Sequence, residues 1–157
     1  MAKSSPPPTP SPDENFGFFK SPTFFFSAIA NKQTHASSSQ LRKDFGIGIV
    51  EWRCMAMLSL EESVSAARIC QVGGMNKSLV SKALNKLQQL NYVEPTSSAG
   101  TQKPVLLKLT TAGQTLFQKM LKRAFIAETE STKGLSQEEQ HELLRMLKII
   151  YNNIEGL

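Results

Sequence analysis

Cysteine, histidine and tryptophan are scarce in this chain, and each shortage closes off some chemistry. The two cysteines, Cys54 and Cys70, are far apart and both lie among apolar neighbours. They read as small buried hydrophobes in a reducing cytosol. A redox-sensor reading needs a cation beside the thiol to lower its pKa, and only Arg53 offers one. The two histidines, His35 and His141, have no cysteine or carboxylate at metal-ligand spacing. There is no zinc motif, no glycine-rich phosphate loop and no nucleophile elbow. No nucleophile–base pair or paired carboxylates stand out, so neither enzyme, cofactor nor metal is expected. Long apolar runs are missing too, and nothing approaches the roughly 20 residues that span a bilayer. Phe24–Ala30 is short, apolar and ends in Ala-Ile-Ala. The preceding prolines, Asp13, Glu14 and the lack of net positive charge argue against a signal peptide. The expected location is the cytoplasm.

Carboxylates are absent where they matter most. The helical segment Asn76–Leu87 splits at about 100° per residue into two opposed faces. Val80, Ala83, Leu84 and Leu87 form a core stripe. Ser78, Ser81, Lys82 and Asn85 form the other face, with Lys77 and Lys86 at its flanks and no acid among them. A solvated helix face usually mixes in Glu or Asp; short hydrogen-bonding groups with cations alone suit phosphates and base edges. The chain of 157 residues carries a net charge of +5. Its distribution says more. From Asn76 to Lys108 lie Lys77, Lys82, Lys86, Lys103 and Lys108 against the single acid Glu94, whereas the two signs balance from Thr111 onward. The excess positive charge belongs to the central module, as an electrostatic footprint should.

The length suffices for one domain with a real core. Residues 1–21 read as a disordered tail, because Pro6, Pro7, Pro8, Pro10 and Pro12 forbid helix and favour extended backbone. Phe16, Phe18, Phe19, Phe24, Phe25 and Phe26 are unusual beside such a tail and want burial, in a helix packed on the body or in a subunit interface. Pro22 suits the first turn of a helix from about Ser21 to Leu41, although Ala36-Ser37-Ser38-Ser39 weakens it. Ile49–Leu58 reads as a short buried helix, with Trp52 as core. Glu62–Val64 reads as a very short strand. Ser65 caps a helix over Ala66–Val72 that buries Ala66, Ile69 and Cys70. Gly73-Gly74 ends it, Met75 plugs the turn, and Asn76 caps the central helix. Together these two helices and their turn make a helix-turn-helix.

Asn91 suits a left-handed helix end near Leu90. Tyr92–Thr96 and Val105–Leu109 read as antiparallel strands, joined by a loop over Ser97–Lys103: a wing. Thr110 or Thr111 caps a long helix to about Thr132 that Gly134 breaks. Its apolar positions (Leu116, Phe117, Met120, Leu121, Ala124, Phe125) cover more than one small domain needs. Ser136 and Glu139 form a capping box for a last helix striped by Leu143, Met146, Leu147, Ile150 and Ile154. Two apolar helices outside the wing module imply a partner surface, most simply a second copy.

This order of elements resembles the MarR family of bacterial transcriptional regulators. The residues that carry the likeness are Glu51-Trp52-Arg53, Ile69-Cys70 through Asn76-Lys77-Ser78-Leu79-Val80-Ser81-Lys82, Leu87 through Asn91-Tyr92-Val93-Glu94, and Leu109-Thr110-Thr111-Ala112-Gly113. It covers about Phe45 to Ile150. The resemblance implies a mainly α fold with a small β-wing. Residues 22–46 are then an N-terminal dimerisation helix region, 47–110 the winged helix-turn-helix lobe, and 111–157 the C-terminal dimerisation helices. It implies a homodimer on a palindromic operator, with Asn76–Gln89 in the major groove and the wing at a minor groove. It further implies a small-molecule or oxidant input, often a phenolic or other aromatic effector between the dimerisation helices and the lobe. The residues expected at double-stranded DNA are Asn76, Lys77, Ser78, Leu79, Ser81, Lys82, Asn85, Lys86 and Lys103.

Departures qualify the likeness, and one is the Pro-rich start, which has no counterpart in the family. The family wing usually has an Arg-rich, Asp-containing tip, whereas this one has Ser, Gly, Thr, Gln and Lys103. The central helix also lacks Arg, which removes the common bidentate contact to guanine. Specificity then leans on Asn85, the serines, the methyl groups of Leu79 and DNA shape. A winged helix that has become a protein-interaction adaptor is the competing class.

Overall fold

The computed structural model describes Gly17, residues 20–96 and residues 104–155. The prolines of the expected tail, Phe16, Phe18, Phe19 and the wing loop Ser97–Lys103 lie outside the described residues. The chain forms two compact units, one up to Ile49 and one from Val50 onward. Among the described residues, no helix is long and apolar enough to cross a membrane.

The first unit holds α1, Pro22–Phe45. Ser21 Oγ accepts from the Phe24 amide at 3.2 Å, and Pro22 occupies the first turn, where its missing N–H costs nothing. The helix runs a turn past the expected Leu41. Within the serine run, Ser39 Oγ bonds back to the Ala36 carbonyl at 3.3 Å, so its hydroxyl is satisfied inside the helix. Arg42 and Lys43 lie in the last turn, where the helix dipole favours cations. Gly46, at φ +73°, ends the helix and donates its N–H to Arg42 O at 3.0 Å.

The second unit takes up α2, Ile49–Leu60, from Val50 onward, and this helix buries Cys54, Met55 and Leu58. Strand β1 is only Val64–Ser65. Ser65 then caps α3, Ala66–Gly73, through the Arg68 amide at 3.2 Å. Gly74, at φ +58°, turns the chain, and α4, Lys77–Gln89, follows. Asn91, at φ +58°, takes the left-handed position expected of it. Strands β2, Val93–Pro95, and β3, Leu106–Leu109, pair antiparallel with Glu94 opposite Lys108. β1 pairs with the other edge of β3, giving the order β1-β3-β2. A helix-turn-helix followed by such a hairpin is a winged helix. Its core collects Cys54, Met55, Leu58, Val64, Ile69, Val80, Ala83, Leu84, Leu87, Val93, Leu107 and Leu109.

Trp52, expected as core, is half-buried, and three further expected core positions are less buried than their neighbours suggested. Ala66, Cys70 and Met75 are only half-buried. α3 has eight residues and one buried side chain, Ile69, so the turn after it stays at the surface. Met75 lies over Gly73, where an added Cβ would come within 2.7 Å of its terminal methyl.

Helix α5, Thr111–Ser131, leaves the hairpin capped by Thr110. Only Gly113, Phe117 and Met120 are buried in it. Gly134 turns the chain at φ +97°. The capping box then forms in full: the Ser136 amide donates to Glu139 Oε2 at 2.7 Å and the Glu139 amide to Ser136 Oγ at 3.2 Å. Helix α6 spans Gln137–Glu155. Tyr151 on α6 donates its hydroxyl to the Val72 carbonyl of α3 at 3.0 Å.

Candidate nucleic-acid interface

Helix α4 presents the surface that the residue pattern singled out. Asn76 Oδ1 accepts from the Ser78 amide at 2.8 Å and so fixes where the helix starts. Val80, Ala83, Leu84 and Leu87 are buried behind it. That burial orients the opposite side outward: Asn76, Lys77, Ser78, Leu79, Ser81, Lys82 and Asn85 are all solvent-exposed. Leu79 stands 52% exposed beside the polar ridge, a large apolar side chain that the core does not use. The ridge thus offers hydroxyls, an amide, a cation and a methyl-bearing surface in one row. These groups can bond phosphate oxygens and base edges and can touch a thymine methyl.

Lys86 behaves differently. Its ammonium pairs with Glu51 Oε1 of α2 at 3.1 Å, and the Glu51 side chain is only 15% exposed. The pair ties the C-terminal half of α4 to the first turn of α2. Lys86 was expected among the DNA-facing groups; here it points back to the lobe. Glu51 could not have been found from spacing, because the pairing depends on how α2 packs behind α4. Lys108 in the wing stem is also paired, with Glu94 directly across the ladder at 3.3 Å. Two of the five lysines of the central module therefore have carboxylate partners. Lys103 lies outside the described residues.

The thiols separate in the same way. Cys54 is buried, and burial first, then the Glu51 carboxylate and Cys70, push its pKa up to about 12. It is a neutral, inert hydrophobe at any ordinary pH. Trp52 is half-buried and stacks on Phe117 of α5, with ring centroids 5.1 Å apart and planes at 19°. Phe117 also lines an open cleft of about 660 Å³ between the end of α2, β3 and the first turns of α5. Leu58 and Leu109 join it on the apolar side, with Glu61, Lys108 and Gln118 among the polar groups.

A trihelical lobe, a three-stranded wing sheet and an exposed, acid-free second helix define a winged helix-turn-helix protein. Residues 45–103 match the sequence model of the MarR family, and the lobe they build is a winged helix. Solved structures agree on the fold over most of the chain. A MarR/EmrR-family transcriptional regulator from Acinetobacter sp. ADP1 is similar at 27% identity and a TM-score of 0.79, over 86% of this chain and 95% of that one. BpsR of Bordetella bronchiseptica, solved to explain regulation of its DNA binding by 6-hydroxynicotinic acid, shares 14% identity. Its TM-score is 0.72, over 87% of this chain and 98% of that one. MepR of S. aureus, solved as a DNA complex, shares 17% identity at a TM-score of 0.71, over 87% and 98%. No curated protein matches the sequence.

Proposed function

We propose that this protein is a sequence-specific double-stranded DNA-binding transcriptional regulator, acting as a homodimer on a palindromic operator. One observation carries the reading. Ser78, Ser81, Lys82 and Asn85 stand in a single exposed row without a carboxylate, backed by four buried apolar side chains. The MepR–DNA complex among the similar structures supports the same use of the fold. Lys77 and Lys82 neutralise phosphates, while Asn85, the serines and Leu79 face base edges. Lys103, in the wing loop, is assigned to the backbone of the adjacent groove. Lys86 serves mainly to hold α4 against α2.

The homodimer is supported by apolar side chains that a single chain leaves in water. Leu121, Phe125 and Ile126 on α5 and Leu143, Leu147 and Ile154 on α6 are all exposed. A belt of this size marks an interaction surface. The domain division follows: residues 22–46 and 111–157 supply dimer contacts, and 47–110 reads DNA. A small aromatic effector fits the cleft floored by Leu58, Leu109 and Phe117. BpsR, whose DNA binding is regulated by 6-hydroxynicotinic acid, supports that class of input. Trp52 is the only tryptophan, so its emission reports on its Phe117 stack when aromatic acids are titrated.

The direct test is selection of bound sites from a random duplex pool, followed by salt-titrated anisotropy. A palindrome with half-sites about one helical turn apart is expected. The pairing of Lys86 and Lys108 favours a second reading, a winged-helix adaptor that binds protein. An adaptor binds neither random nor selected duplex at low salt, and that result would replace the regulator reading.

A further inference from the structure

We propose that Thr110 is a positioning residue that locks the end of α4 to the start of α5, so that the direction of α4 follows that of α5. The inference rests on the reading of α4 as the DNA-facing helix. After Gln89 the chain turns through Asn91, whose amide donates to Gln88 O, and Tyr92, whose amide donates to Leu87 O, both at 2.9 Å. The Asn91 carbonyl lies just past the end of α4 at Gln89. Thr110, nineteen residues on, reaches it: its hydroxyl donates to Asn91 O at 2.7 Å. The same oxygen accepts from the Gly113 amide at 3.0 Å, which caps α5. A hydroxyl has one proton and two lone pairs, so the two bonds do not compete.

Two more contacts close the joint. The Thr110 amide donates to Tyr92 O at 3.1 Å. Gly113 presses against that same carbonyl so closely that a Cβ there would collide with its oxygen. Between them in sequence lie the paired strands β2, Val93–Pro95, and β3, Leu106–Leu109. Thr110 therefore ties the hairpin at its neck, and α4, hairpin and α5 meet in one rigid corner. A bend of α5 at its first turn would have to break the hydroxyl bond or drive Gly113 into Tyr92. The easier response is for α4 to turn with it.

The test uses the full chain with Thr110→Ser, which keeps both bonds, and Thr110→Asp, which keeps the α5 cap but has no proton for Asn91. In the unaltered protein, amide exchange is expected to open Leu90, Tyr92, Gly113 and Gln114 together, with one protection. Separate opening of the α4 and α5 ends overturns the proposal, and this arm needs neither a variant nor DNA. In Thr110→Asp, protection of Leu90 and Tyr92 is expected to fall about three- to tenfold, the loss of one hydrogen bond. Met120 and Thr110→Ser should stay as in the parent. If Thr110→Ser behaves like Thr110→Asp, the methyl group and not the hydroxyl makes the joint, and the proposal fails.

The DNA arm compares a selected duplex with a random one. Thr110→Asp is expected to lower the ratio of the two affinities about tenfold while random-duplex binding holds. An equal loss on both duplexes marks a purely structural role and overturns the proposal. If the parent binds neither duplex, the DNA reading has failed and the exchange measurement alone decides whether the joint exists.

Discussion

Lys82 and Lys86 lie one turn apart on α4 and lead to opposite expectations. Lys82 is exposed on the acid-free row, so Lys82→Ala should weaken binding to every duplex and flatten the salt dependence by about 0.9 in log K per log salt. Lys86 already has Glu51 at 3.1 Å. Lys86→Ala should leave the salt slope of DNA binding unchanged and lower stability by about 1 kcal/mol, since the lysine itself is partly solvated. Salt-titrated anisotropy and urea unfolding separate the two. Asn85→Ala should instead relax preference at one base position by about 1–3 kcal/mol, read from single-base variants of the selected site. Cys54 gives a pH prediction. Its folded pKa of about 12 lies above the ordinary thiol value of 9.0, so the folded state keeps its proton where the unfolded chain has lost it. The stabilisation is complete below pH 9 and is lost as pH rises towards 12, with a slope of up to about 1.4 kcal/mol per pH unit. Urea melts of the parent and Cys54→Ala at pH 8 and pH 10.5 should show a steeper fall for the parent.

At the scale of elements, helix starts were the most legible part of the sequence. Ser21, Ser65, Asn76, Thr110 and Ser136 each cap through an amide two or three residues on. A bond that short is written in neighbouring residues, and so is the left-handed turn at Asn91. Replacing Asn76 by Ala should cost about 1 kcal/mol, by thermal melting, and fray the first turn of α4. Other features join residues remote in sequence and had no local signature: Lys86 to Glu51, Tyr151 to Val72, and β1 to β3. The exposed, acid-free row was legible because helical periodicity alone puts Ser78, Lys82 and Asn85 opposite Val80, Leu84 and Leu87. Which of its flanking cations would turn inward was not, because that depends on where α2 lies. The length of α1 was underestimated because the Ser39 hydroxyl finds its partner inside the helix.

For the whole molecule, the decisive quantity is the apolar surface left on α5 and α6. Phe125 is 72% exposed and Ile154 62%. Phe125→Asp would place a charge in the proposed interface at little cost to the lobe. Sedimentation should show a shift from dimer to monomer, and binding to a two-half-site duplex should fall far more than binding to one half-site. An unchanged mass would sink the dimer reading. The family resemblance suggests a border after residue 110, but the corner formed by Asn91, Thr110 and Gly113 straddles it. A fragment cut there would retain the threonine and lose the glycine that seats it. Anyone wishing to study the winged-helix half alone should carry the chain on through Met120, so that the first turns of α5 travel with it as a splint.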